Sequence, residues 1–443
     1  MSIIGAFIVP HPPIILPEVG RGKEKDIQKT IDAYKEAARQ IAELKPETVV
    51  VTSPHATMYA DYFHISPGKS AYGDLGRFGA AGVKVEAEYD REFVEVLAET
   101  AEENNIPAGT LGEREKTLDH GTIIPLRFLN EQYSDYQLVR IGLSSLSVRE
   151  HYRLGKCIAK TAENLDRRVV FIASGDLSHK LKEDGPYGFD KAGPAFDKEI
   201  TEAMAKADFL RFLTLSPDFC EEAAECGLRS FIIMAGALDC KAVQAELLSY
   251  EGTFGVGYGV CTFKIKGEDR TRCFDTIYEE EQTERHNSAK EKEDAYVKLA
   301  RLSLESYIKT NKRIKLPDGL PDDLLTRRSG TFVSLKKYGQ LRGCIGTISP
   351  VTDCVATEIL RNAISSGTED PRFPAVTEDE LTELVYSVDV LAAAEQIKSI
   401  KELDVKRYGV IVTSGYKRGY CYLTWKVLIH PSSRFQLLCK KQE

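Results

Sequence analysis

The sequence predicts an α/β protein: an N-terminal mixed sheet covered by helices, followed by a smaller α+β domain. Three observations carry that expectation. Short apolar, β-branched runs alternate with segments of helical period as far as about residue 265, which is the pattern of strands and crossover helices. Three of those runs stop abruptly and deliver a histidine just past their last apolar residue. A charged stretch poor in apolar residues, beginning at Gly267, then breaks the pattern. At 443 residues the chain is also longer than one ordinary core serves.

The first run is Gly5 to Pro13, GAFIVPHPP. Ala6, Phe7, Ile8 and Val9 suit a strand buried on both faces. Pro10, Pro12 and Pro13 cannot continue a ladder, so the strand ends and His11 is held on a stiff turn. Ile27, Ile31, Tyr34, Ala38, Ile41 and Leu44 recur at three- and four-residue steps and give a helix one apolar face, ended by Pro46. The run from Thr48 to Ser53 repeats the first design and delivers His55 after Pro54. Residues 68–82 are polar and glycine-rich, and read as a mobile loop over a site. A strand is expected over 83–89 and a helix over 91–104. Asp119-His120-Gly121-Thr122 reads as a turn and cap for a helix reaching about Asn130. After a strand over 137–141 and a helix over 148–165, residues 168–174 form the third strand, which runs into Gly175-Asp176-Leu177-Ser178-His179. Helices over 195–207, about 218–226 and 228–238, then strands near 242–248 and 258–263, close the unit. Beyond the break, an amphipathic helix is expected over 295–310. Strands over 331–335 and 341–348, a helix over 352–366 and strands over 384–390 and 409–413 follow. No internal repeat is present.

Bulk properties narrow the function. The net charge of −8, spread without a large basic block, argues against nucleic acid as partner. No stretch reaches the apolar length of a membrane span. The N-terminus lacks the basic start and cleavage site of a signal peptide. The ten cysteines are scattered without a CxxC pair, so reduced thiols in a cytoplasm are expected.

Six of the eight histidines precede residue 180. Ligands of open α/β sheets bind at the carboxyl ends of strands, so His11, His55 and His179 read as one site. Two histidines with a carboxylate or thiolate suit Fe(II), Zn or Mn and leave positions open for substrate. His11 and His55 are the ligand candidates, each at a strand end beside proline. The third ligand comes from Glu221, Glu222, Glu225 or Cys226, at the head of the later helices. His179 and His120 are candidates for acid and base. Asp176 caps or orients its turn. His64 and His151 lack the strand-end setting and read as structural.

VPHPP at 9–13, SPH at 53–55, DHG at 119–121, GDLSH at 175–179 and ECGLRSFIIMAGAL at 225–238 occur in that order. With them, residues 1–266 resemble the LigB-like class III extradiol dioxygenase superfamily, which includes the Memo-type proteins. The resemblance implies non-haem Fe(II) on His11, His55 and a third ligand at 225–226. Dioxygenases of this group use a glutamate there and Memo-type proteins a cysteine; here Glu225 and Cys226 are adjacent. It implies a catecholic or related aromatic substrate, with His179 as general base and then acid, and His120 hydrogen-bonded to the substrate.

Leu341-Arg342-Gly343-Cys344-Ile345-Gly346, with DPRFPAVTEDEL at 370–381, makes residues 289–443 resemble the AMMECR-type domain. Residues 267–288 then read as a charged linker. Glycines around Cys344 allow close approach of a ligand or partner backbone, and Arg342 suits a carboxylate or phosphate. An equally weighted reading makes Cys344 a small buried residue. The pairing of the two domains resembles the AmmeMemoRadiSam system, which implies a radical-SAM protein and a separate Memo-like protein as partners. Two rival functions stand beside the dioxygenase: a non-catalytic binding or scaffold protein, and an oxygen-independent enzyme working with the radical-SAM protein. After Lys417-Arg418-Gly419 the text departs from the AMMECR-type pattern. It lacks the expected apolar run, acidic turn and closing helix, and it contains Trp425, so a shifted reading frame over 420–443 is expected.

Overall fold

The computed structural model describes residues 3–337, 339–396, 408–414, 417–421 and 434–440. It divides into two compact units, 1–279 and 280–443. In chain order the first unit runs β1 (Ile3–Val9), α1 (Pro17–Gly20), α2 (Gln28–Leu44), β2 (Thr48–Ser53), β3 (Phe63–His64), β4 (Ser70–Leu75), β5 (Ala80–Glu88), α3 (Arg91–Glu103), β6 (Ala108–Gly109) and α4 (His120–Asn130). It continues with β7 (Gln137–Gly142), α5 (Val148–Asn164), β8 (Val169–Ser174), α6 (Ala192–Lys206), α7 (Phe209–Thr214), α8 (Pro217–Ala223), α9 (Leu228–Ala237), β9 (Lys241–Glu251) and β10 (Tyr258–Glu268), and α10 (Phe274–Glu291) begins within it.

Six strands form one mixed sheet in the order β7-β2-β8-β1-β10-β9. The first four are parallel, and β10 and β9 run antiparallel. Strands β2 and β8 are buried at every residue, which is why they read as unbroken apolar runs. Side chains alternate across the pleat. Ala6, Ile8, Val50, Phe171 and Ala173 enter one core with α3, α5 and α9; Phe7, Val9, Val49, Val51, Val170 and Ile172 enter the other with α2 and α4.

Three features differ from the sequence reading. Residues 70–88 form an antiparallel hairpin, β4 with β5, where a loop is expected over 68–82. Its Ala71, Leu75, Ala80, Val83, Val85 and Ala87 are buried in the second core; glycines and charges between them dilute the period of two. The charged stretch 267–288 carries the end of β10 and the start of α10, with Phe274 and Tyr278 buried in the first core. Two aromatic residues four apart give a helix a foothold that bulk composition hides. Cys240 and Cys273, 33 residues apart, are joined as a disulfide, contrary to the expectation of free thiols throughout. No helix among the described residues is long and apolar enough to cross a membrane.

The second unit is α+β. It contains α11 (Ala295–Thr310), α12 (Asp322–Thr326), β11 (Thr331–Lys337), β12 (Gln340–Gly346), α13 (Val355–Thr368), β13 (Leu384–Gln396), β14 (Tyr408–Ser414), β15 (Lys417–Cys421) and β16 (Arg434–Lys440). Its strands form an antiparallel sheet in the order β12-β11-β13-β16-β14-β15. Leu299, Leu304, Val333, Leu335, Ile359, Ala363 and Tyr386 fill its core. Residues 434–440 are a strand where a closing helix is implied. Residues 422–433, with Trp425, and 441–443 lie outside the described residues.

Candidate metal centre

The parallel strands end level: Val9 pairs with Ser174, and Thr52 with Ala173. The turns after β1, β2 and β8 therefore open on one edge. His11 is buried there, 1% exposed. Its backbone N–H donates to Asp176 Oδ1 at 2.8 Å, and its Nδ1 lies 2.9 Å from Ser174 Oγ. Held at both ends, the ring turns Nε2 toward His55 Nε2, 3.0 Å away. Cys226 Sγ lies 3.7 Å from the same nitrogen. It is brought there by Gly175 and Gly227: a Cβ on Gly175 would stand 2.1 Å from the Gly227 Cα, so only glycine lets the start of α9 close onto the end of β8. The Asp176 N–H donates to Cys226 Sγ at 3.3 Å.

The donor atoms of His11, His55 and Cys226 all lie within 4.8 Å of one another. This set fits a transition metal. The 3.0 Å nitrogen–nitrogen and 3.7 Å nitrogen–sulfur separations suit ligands of one ion held at about 2.0–2.1 Å by nitrogen and about 2.3 Å by sulfur. Two neutral imidazoles presenting lone pairs at 3.0 Å repel unless a proton or a cation lies between them. The Ser174 contact leaves Nε2 of His11 as the donor atom, the arrangement outer-shell partners give to metal-bound histidines.

Electrostatics favour a cation as well. Burial, then His55, pushes His11 well below its usual range; burial lowers His55. Burial, then His55 and His11, takes His120 down to about 3. Three neutral imidazoles thus sit beside a carboxyl, Asp176, that burial raises to about 6. Burial, with Asp176 and Glu225, holds the Cys226 thiol well above its ordinary value. A bound cation reverses that last shift and makes the sulfur a thiolate ligand.

Two histidines flank the donors. His120 opens α4, its ring centroid 4.0 Å from that of His55 and 5.4 Å from that of His11. Asp119 caps the same helix through Thr122 N–H, accepts from Ser53 Oγ at 2.6 Å, and pairs with Arg140 at 3.2 Å. Burial raises its carboxyl, but Arg140 and the two hydroxyls more than offset this and hold it below its usual value. His179 Nδ1 lies 2.7 Å from the Ala224 carbonyl oxygen. A carbonyl only accepts, so Nδ1 carries a proton and Nε2 is the ring atom left to exchange one. A cavity of about 340 Å³ opens beside His55 and His120, lined across from them by the β4–β5 hairpin.

The family model for the catalytic LigB subunit of aromatic ring-opening dioxygenase matches residues 5–261. The chain belongs to the LigB family. A second model, AMMECR1, matches residues 297–424. A protein of Clostridium acetobutylicum is 42% identical over 427 residues, 95% of this chain and 91% of that one. One of Thermotoga maritima is 48% identical over 128 residues, 29% of this chain and 74% of that one. The crystal structure of an uncharacterized protein from Escherichia coli K12 aligns with 59% of this chain and 99% of its own, at 14% identity and a TM-score of 0.40.

In this LigB-family chain the two adjacent candidates for third ligand separate. Glu225 turns to the backbone: its Oε2 accepts from Leu228 N–H at 2.7 Å, at the start of α9, and burial raises it to about 7. Cys226 alone of the pair joins the histidines. Glu221 and Glu222 lie on α8 and are not part of the donor group. Asp176 holds the turn of His11. His64 and His151 are buried, and their Nδ1–H groups donate to the carbonyls of Leu111 and Ser147.

In the AMMECR1 unit the motif residues find partners in one another. Arg342 makes two bonds to the Glu380 carboxylate, at 2.9 and 2.7 Å, and a third to Pro374 O. A Cβ on Gly343 would stand 2.1 Å from Ser366 O, so this glycine lets β12 lie against α13. Cys344 N–H donates to Asp370, and its sulfur accepts from Ser334 Oγ at 3.2 Å. Gly346 packs on Phe332. Sequence reasoning missed Arg140, Ser53 and Ser174. Arg140 had a signal, a lone cation inside the apolar run of β7.

Proposed function

We propose that this protein is a mononuclear metal enzyme of the extradiol dioxygenase type. It would hold Fe(II) on His11, His55 and Cys226 and act on a catecholic or related aromatic molecule in the adjacent cleft. The observation that carries the reading is the convergence of two imidazole nitrogens and a cysteine sulfur beside a cavity that His120 also lines. Zn is also compatible with two nitrogens and a sulfur, whereas Mn prefers oxygen donors. When bound, the metal would supply Lewis acidity toward the diol oxygens and a place for O₂. In the net reaction a ring C–C bond beside the diol breaks and both oxygen atoms enter the product, so no external reductant is consumed.

The chain's own residues would do the rest. His179 presents Nε2 as general base for a diol proton and returns it as acid on ring opening. Neutral His120 donates a hydrogen bond where negative charge develops. Arg140 and Asp119 fix the loop that carries His120. One observation favours a second reading. A thiolate ligand is itself open to oxidation by O₂, which suits an oxygen-independent centre working with a radical-SAM protein.

Catechol-dependent O₂ uptake by anaerobically purified, iron-loaded protein tests the first reading. Uptake with ring-cleavage absorbance supports it. His179→Ala is expected to lower turnover about 10²–10⁴-fold with metal retained. Full metal loading without O₂ uptake would overturn the dioxygenase reading and favour the second.

A further inference from the structure

The β4–β5 hairpin contributes Tyr72, Gly73, Asp74, Arg77 and Phe78 to the wall of the cavity that contains His55 and His120. Two of these are large aromatic residues left in the open: Tyr72 is 59% exposed and Phe78 is 39% exposed. The rest of the hairpin is anchored by its buried alternate positions. Its inward residues are therefore structural, and its outward aromatic pair is free of that duty. Phe78 meets His120 in a T-shaped contact, 5.1 Å between ring centroids. Both rings line the cavity, where a planar ligand can stack on them. The cavity, about 340 Å³, lies in the range of sites that bury drug-sized ligands and exceeds the needs of one benzene ring.

We infer that this hairpin is the specificity element of the site, with Tyr72 and Phe78 stacking a planar aromatic diol larger than a single ring. The inference rests on the proposed catechol-binding function and adds the residues and ring size that function leaves open. Neither residue is among the three metal donors, so both act as specificity determinants.

The test is calorimetric binding of catechol and of naphthalene-2,3-diol to zinc-loaded protein under argon, where no turnover occurs. The parent is expected to bind the bicyclic diol about tenfold tighter. Phe78→Ala and Tyr72→Ala should each lower that preference about three- to tenfold, with metal content and melting temperature unchanged. Phe78→Leu, which keeps bulk without a π face, should behave like Phe78→Ala. Equal preference in the parent and all three variants would overturn the inference while leaving the function standing. Binding of neither diol by the parent would overturn both.

Discussion

The two units each carry a cysteine-containing motif, and the motifs resolve in opposite ways. In the first, the Nε2 atoms of His11 and His55 face one another at 3.0 Å and Cys226 joins them; a cation would give all three donors one common partner. In the second, Arg342 is saturated by Glu380 and Pro374, Arg372 by Asp370, and Cys344 by Ser334. Buried polar groups in folded proteins are satisfied. A set that satisfies itself builds a fold, and a set that does not awaits a ligand. The specificity of a motif to its family says nothing about which of the two it is.

That contrast can be sharpened first in the first unit, where a buried carboxyl is held without a cation. Asp197 accepts from Ser178 N–H and Tyr250 Oη, has no cationic partner among the described residues, and is raised by burial to about 6. A raised carboxyl contributes stability that is present below its unfolded value and lost as pH rises through the folded one. Relative to Asp197→Asn, the parent should therefore lose about 2 kcal/mol between pH 4 and 6, read from denaturant unfolding at each pH. A pH-independent difference would contradict the assignment. In the second unit, Arg342→Met should cost about 1.5 kcal/mol, because Glu380 loses its two-bond partner but keeps Lys337 and Thr377 N–H, with metal content unchanged. A change in metal content would break the contrast. The smallest effect is expected at Ser174→Ala, which frees the His11 ring; metal affinity should fall about tenfold at unaltered melting temperature of the metal-free protein.

The sequence made the strands legible because a strand buried on both faces is continuously apolar, as in Thr48–Ser53. It made His11 and His55 legible because proline stops a strand where it stands. The hairpin was hidden because Gly73, Gly76, Gly79 and Gly82 interrupt its alternation. The foothold of Phe274 and Tyr278 was hidden by the charge around them. Glu225 and Cys226 are neighbours, and only the three-dimensional turn at Gly227 decides which faces the histidines. Arg140 and Asp119 are 21 positions apart on different elements, and pairing at that range follows from sheet order alone.

On the proposed reading Cys226, and not Glu225, is the third metal donor. The direct measurement is metal stoichiometry and affinity of parent, Cys226→Ala and Glu225→Gln after reconstitution without oxygen. One metal per chain in the parent, retained in Glu225→Gln and lost or weakened more than about 100-fold in Cys226→Ala, is the expected result. Metal retained by Cys226→Ala and lost from Glu225→Gln would contradict it.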